Sequence, residues 1–151
     1  MDNKALSPYF LTAINDYRIE YDAEMHRMAK HSLYPSRLSS IYAFSDMNTC
    51  HQVSMKYGWP LNSVKKFRLK ENPFNRVIKV NMEHVSLARL AYKISMITNV
   101  SCIWESYWSG IGNIMLELPE AGGGRKRYES GVIWEYLIEG CVEHSDRKKG
   151  A

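Results

Sequence analysis

The chain has 151 residues, enough for one domain with a true hydrophobic core and tight for two. Hydrophobic residues make up 45% and charged residues 24%, which excludes a disordered chain, and a formal net charge of +4 is too small for a dedicated duplex-DNA binder. Cys50, Cys102 and Cys141 are odd in number, far apart and without zinc spacing, so a reduced setting is expected rather than a disulfide framework.

Residues 1–7 show no signal-peptide pattern, and no run approaches the roughly 20 apolar residues of a membrane span. A cytoplasmic protein with no membrane partner is expected. Aromatics at 12% favour β-structure, a stacking site or an interface.

Ser7-Pro8 reads as a helix start, with a capping serine followed by proline at the first helical position. Leu11, Ile14, Tyr17, Tyr21, Met25 and Met28 then recur at three- and four-residue steps. This predicts one core-facing stripe on a helix over 7–31, with Asn15, Arg18, Glu20, Glu24 and Arg27 on the opposite face. Tyr34-Pro35 ends it. Residues 37–44 read as a strand, with Leu38, Ser40, Tyr42 and Phe44 on one face. Ser45-Asp46 caps a second helix through about Lys56, and Gly58 closes it.

Residues 64–70 and 76–81 read as two strands around an Asn-Pro turn, which suggests a hairpin. A third helix is expected over 82–98. Residues 103–110 are aromatic and irregular, and 113–118 form a strand. Ala121 to Arg127 reads as a mobile basic loop, and 132–141 as the last strand. The basic tail from His144 is expected to fray. The sum is one α+β domain with a mainly antiparallel sheet and flanking helices.

The last strand places Trp134, Tyr136 and Ile138 on one face and Ile133, Glu135, Leu137 and Glu139 on the other. Either face makes a good core. If the second is inside, Glu135 is a carboxylate between apolar neighbours, with its pKa raised by desolvation. Ser39 and Ser40 could orient a polar ligand, and Arg37 could grip a phosphate through paired hydrogen bonds. Each of these residue types is also common at a sheet edge or in a surface ion pair. Tyr107 and Trp108 before Ser109-Gly110 could wall a ring-binding pocket or simply fill the core. The glycine-rich segment before Arg125, Lys126 and Arg127 lacks a P-loop or dinucleotide fingerprint but leaves nucleic-acid phosphate open as a partner. The five histidines have no metal-ligand spacing, so no metal is expected.

The run from Pro35 to Phe44 before an Asp-capped helix, Tyr107-Trp108-Ser109-Gly110, and the closing Trp134-Glu135-Tyr136-Leu137-Ile138-Glu139-Gly140 resemble an uncharacterised bacterial and phage family. That family is similar to ADP-ribosyltransferases, and the resemblance covers residues 34–142. It implies a split antiparallel sheet with NAD in the cleft as co-substrate. Ser39 and Ser40 would seat the nicotinamide ribose. Tyr42 or Tyr107 would pack near nicotinamide. Glu135, with Glu129 as the fallback, would stabilise the oxocarbenium ion that forms as nicotinamide leaves. Related domains carry an NAD-holding Arg or His on a strand before the first long helix. Here only six residues precede Ser7, so either Arg37 substitutes or the NAD site is incomplete.

Three functions follow as expectations. One is NAD-dependent modification of a host protein or nucleic acid. The second is a non-catalytic, phage-type inhibitor or adaptor that binds a host protein. The third is nucleic-acid binding through Arg125, Lys126, Arg127 and the tail.

Overall fold

The structure is a computed structural model that describes residues 8–95 and 99–145, with side chains from residue 12 onward. The expected Ser7 cap, the end of the third helix and most of the basic tail lie outside the described residues. Four helices, α1 (Pro8–Lys30), α2 (Met47–Tyr57), α3 (Glu83–Ile94) and α4 (Ser101–Trp108), alternate with seven short strands. The strands are β1 (Ile41–Ala43), β2 (Phe67–Leu69), β3 (Arg76–Asn81), β4 (Met115–Pro119), β5 (Arg125–Glu129), β6 (Trp134–Glu139) and β7 (Val142–His144). All pairings are antiparallel, in sheets ordered β1-β6-β3, β2-β7 and β4-β5. The α+β expectation with antiparallel sheets holds at this level.

The first helix turns over relative to its sequence pattern. Ile19 and Ala23 are fully buried, and Trp108 Nε1 donates to the Ala23 carbonyl at 2.9 Å. Tyr17 is 72% exposed, and Ile14, Tyr21, Met25 and Met28 are also exposed. The face expected to lie in water is the inner one because its charges find partners there. Arg27 binds Glu24 through two hydrogen bonds of 2.6 and 3.0 Å, and Glu20 is taken up by Arg37.

The second helix follows its sequence signals. Asp46 accepts a hydrogen bond from the Thr49 amide at 2.8 Å, and Gly58 closes the helix at φ 70, a conformation glycine adopts without steric cost. Trp104, Tyr107 and Trp108 pack edge to face and are buried. Residues 101–108 are therefore a core helix rather than the irregular segment expected. Ile103, Trp104, Tyr107 and Trp108 recur at helical spacing, and these large side chains supply a major part of the packing.

The predicted hairpin of the 64–70 and 76–81 segments does not form. β2 pairs with β7, while β3 pairs with β6 in full register from Arg76↔Glu139 to Asn81↔Trp134. The long last strand is broken at Gly140, where an added Cβ would collide with the Asn75 amide. The Asn75 Oδ1 accepts the Cys141 amide at 3.1 Å, which turns the chain into β7. The basic loop is shorter than expected, because Arg125–Glu129 is a strand paired to Met115–Pro119. Among the described residues, no helix is long and apolar enough to cross a membrane.

Candidate functional site

The three-stranded sheet decides the ambiguity of the last strand. Glu135, Leu137 and Ile138 are buried, whereas Trp134 and Tyr136 are only half-buried. Glu135 pairs across the ladder with Val80, which is fully buried, so the carboxylate sits on the apolar face. The alternative in which Trp134 and Tyr136 fill the core is not the one the chain adopts.

Residues 37–44 are not one strand. The ladder begins only at Ile41, and Arg37, Leu38 and Ser39 form a turn. That turn drives Arg37 inward, where it is 9% exposed. Its Nε and Nη2 each donate to Glu20 at 2.9 Å, and its Nη1 donates to the Tyr107 hydroxyl at 2.6 Å. The Glu135 carboxylate lies 3.7 Å from Nη1. Tyr42 donates to the Arg37 carbonyl at 2.8 Å and lies with its ring 5.4 Å from the guanidinium. One cation thus ties together α1, the 37–39 turn, α4 and β6. This forked geometry is one that arginine supplies and lysine does not.

The cluster holds two carboxylates against one guanidinium, and the better geometry goes to Glu20. No described residue donates a hydrogen bond to Glu135, which is 4% exposed. Burial pushes its pKa up to about 7; Arg37 opposes the rise and Glu20 adds to it. Burial likewise raises Tyr42 to about 12, opposed by Arg37, and raises Tyr107 as well.

Tyr42 and Glu135 also line a groove of about 870 Å³ between the sheet and the α2 region. Phe44, Trp59, Phe67, Tyr136 and Ile138 give it an apolar, aromatic wall, and Lys65 and Lys66 contribute cations. The volume falls within the range of roughly 300–1,000 Å³ common for small-molecule sites.

The remaining expected site residues go elsewhere. Ser39 Oγ donates to Glu139, and Ser40 Oγ donates to the Ser36 carbonyl at 2.6 Å, so neither hydroxyl faces a shared cleft with Glu135. Arg37 grips Glu20 instead of a phosphate. Tyr107 is buried in the core and does not line the groove. Glu129 is exposed on β5, in a different sheet from Glu135. Arg125 and Arg127 lie 3.7 and 3.5 Å from Glu117, and Lys126 sits over the Tyr128 ring, so this basic segment is partly neutralised. Among the described residues no cluster of His, Cys, Asp and Glu could hold a metal ion.

Sequence reasoning missed Glu20 as the partner of Arg37, and Trp59, Lys65 and Lys66 as groove residues. It also missed a second buried carboxylate. Glu83, at the start of α3, accepts from Lys56 and Tyr57 of α2, and Tyr57 meets Ser86 at 2.8 Å. Beside it, Asn81 uses both ends of its amide, donating to Gly112 and Gly131 carbonyls and accepting from the Glu83 and Ile133 amides. This satisfied network clamps α2 and β6 to α3. Trp59-Pro60 after the Gly58 cap was the available signal for the groove wall.

No family model matches the chain, and neither a curated protein nor a solved structure is similar to it.

Proposed function

We propose that this protein binds a nucleotide of the NAD type in the groove and acts as an ADP-ribosyltransferase-like protein, with Glu135 as the reacting-site carboxylate. One observation carries the reading: Glu135, a buried β6 residue whose carboxylate makes an ion-pair contact of 3.7 Å with Arg37, is among the residues lining an aromatic groove large enough for a nucleotide.

The chemistry follows from that placement. As the nicotinamide–ribose bond breaks, its electron pair leaves with nicotinamide and positive charge develops at the sugar. An ionised Glu135 accepts a hydrogen bond from a ribose hydroxyl and stabilises that charge in a site with little water. Arg37 holds the carboxylate from behind and does not touch the ligand. Ser39, Ser40 and Tyr107 keep the turn and Arg37 in place. Tyr42 is the one expected ring-packing residue that lines the groove.

The same internal bonds favour a second reading, a non-catalytic module that binds a host protein. Arg37, Ser39 and Ser40 are committed to the fold, which leaves fewer groups to orient NAD for reaction. Incubating the protein with labelled NAD and bacterial lysate separates the two. Transfer of label that is lost in Glu135→Gln, with the thermal transition retained, supports the enzyme. Absence of transfer in the wild type, together with a stable complex with one lysate protein, sinks it.

A further inference from the structure

We infer that Lys65 and Lys66 form the phosphate-binding end of this groove and Trp59 its base-stacking wall, so that the ligand it takes is a nucleoside diphosphate or a molecule containing one. The inference rests on the reading of the groove as a nucleotide site and names the part of the ligand that each end holds.

Trp59 is half exposed. Its ring is backed by Tyr57 at 6.0 Å and Phe44 at 6.5 Å between centroids, tilted 36° and 42°. Two aromatic neighbours fix the indole while half of its surface stays open, which is the arrangement of a stacking platform rather than a core residue. Base–aromatic stacking of this kind tolerates any base because each has a π-face.

Lys65 and Lys66 line the groove, are exposed, and make no ion pair with any described residue. Two neighbouring cations outside the lining are committed elsewhere: Lys56 on α2 binds Glu83, and Arg68 on β2 binds Glu143. The backbone under the two lysines is fixed on both sides. Val64 N–H donates to the Leu61 carbonyl at 3.1 Å, and the Lys66 carbonyl accepts the Ser145 amide at 3.2 Å. The other acid in the lining is Asp46, whose oxygens accept from Ser45 and Thr49; these bonds hold its pKa below the usual carboxylate range and tie it to the α2 cap.

Two features of different chemistry thus line one groove: an open indole and a pair of ammonium groups without an ion pair among the described residues. A nucleoside diphosphate carries both complements in one molecule: a flat base and adjacent anions. A purely apolar ligand would leave the ammonium groups unused. An inorganic anion would leave the aromatic wall unused.

Titration of the full chain with ADP, adenosine and inorganic pyrophosphate, followed by Trp fluorescence and calorimetry, tests the assignment. ADP should bind at least about tenfold more tightly than adenosine, as expected for charge-assisted contacts. Raising the salt should narrow that margin. The double variant Lys65→Gln, Lys66→Gln should erase the margin, and Trp59→Ala should weaken ADP and adenosine together. Equal affinity for ADP and adenosine, or a margin that survives the double variant, overturns the phosphate assignment while leaving the groove as a nucleoside site. Pyrophosphate binding as tightly as ADP removes the stacking role of Trp59. Absence of binding by all three ligands, in protein with its normal thermal transition, overturns the nucleotide reading itself.

Discussion

Arg37 and Glu135 set opposite demands on the same few ångströms. Removing the guanidinium in Arg37→Ala leaves Glu20 and Glu135 without their shared counter-charge and Tyr107 without its partner. Breaking a buried pair in this way costs about 3–5 kcal/mol, which denaturant titration would read as a lower midpoint at unchanged slope. Arg37→Lys should recover only part of it, since the fork to Glu20 is lost. Glu135 behaves in the reverse sense to most carboxylates. Its folded-state pKa of about 7 lies above the ordinary value of 4.5, so the folded protein holds a proton that the unfolded chain has released. Its contribution to stability is fully present below about pH 4.5 and is lost as pH rises through 7, amounting to about 3 kcal/mol. Glu135→Gln should therefore raise the thermal midpoint relative to wild type at pH 8 and lose that advantage at pH 5. A difference independent of pH would show that the carboxylate is ionised throughout. The sequence marked Glu135 as unusual, because alternation put it between Ile133 and Leu137. It could not choose the face, since Trp134, Tyr136 and Ile138 offer an equally apolar alternative. Arg37 was visible as an anion binder, but its anion turned out to be Glu20, which sits on a helix face that reads as solvated.

At the level of elements, the first helix shows why periodicity alone misleads. The stripe through Ile14, Tyr17, Tyr21, Met25 and Met28 is the more apolar, yet Ile19 and Ala23 are the residues with no exposure. Small and branched side chains let α3 and α4 approach closely, and paired charges at Glu20, Glu24 and Arg27 make the inner face tolerable. Ile19→Ala should cost about 2–5 kcal/mol, while Tyr17→Ser should stay within about 0.5 kcal/mol; paired urea melts would measure both. The reverse ranking would restore the face read from the sequence. The second helix was legible from end to end because its signals, Asp46 and Gly58, are local. The β2–β3 hairpin was not, since both strands satisfy the alternation rule but find partners more than 50 residues away in β7 and β6. Local turn chemistry around Asn72-Pro73 permitted a hairpin and did not require one. The 101–108 segment was missed because its crowding with aromatics obscured a helical spacing that is plain in Ile103, Trp104, Tyr107 and Trp108.

For the whole molecule, the mix of helix and strand patterns led correctly to an α+β protein with antiparallel sheets. The basic segment near Arg125 is partly offset by Glu117, whereas Lys65 and Lys66 keep their charge at the groove. The groove itself was not legible, because Tyr42, Trp59, Lys65 and Glu135 come together only through long-range strand pairing. The central claim is that this groove binds an NAD-type nucleotide through Glu135. Calorimetric titration of wild type and Glu135→Gln with NAD at several pH values tests it most directly. The account predicts saturable heat in the wild type, an affinity that rises as pH passes about 7 and Glu135 ionises, and a weaker, pH-independent response in the variant. No saturable heat from a folded wild type, or equal binding by the two proteins at every pH, would contradict it.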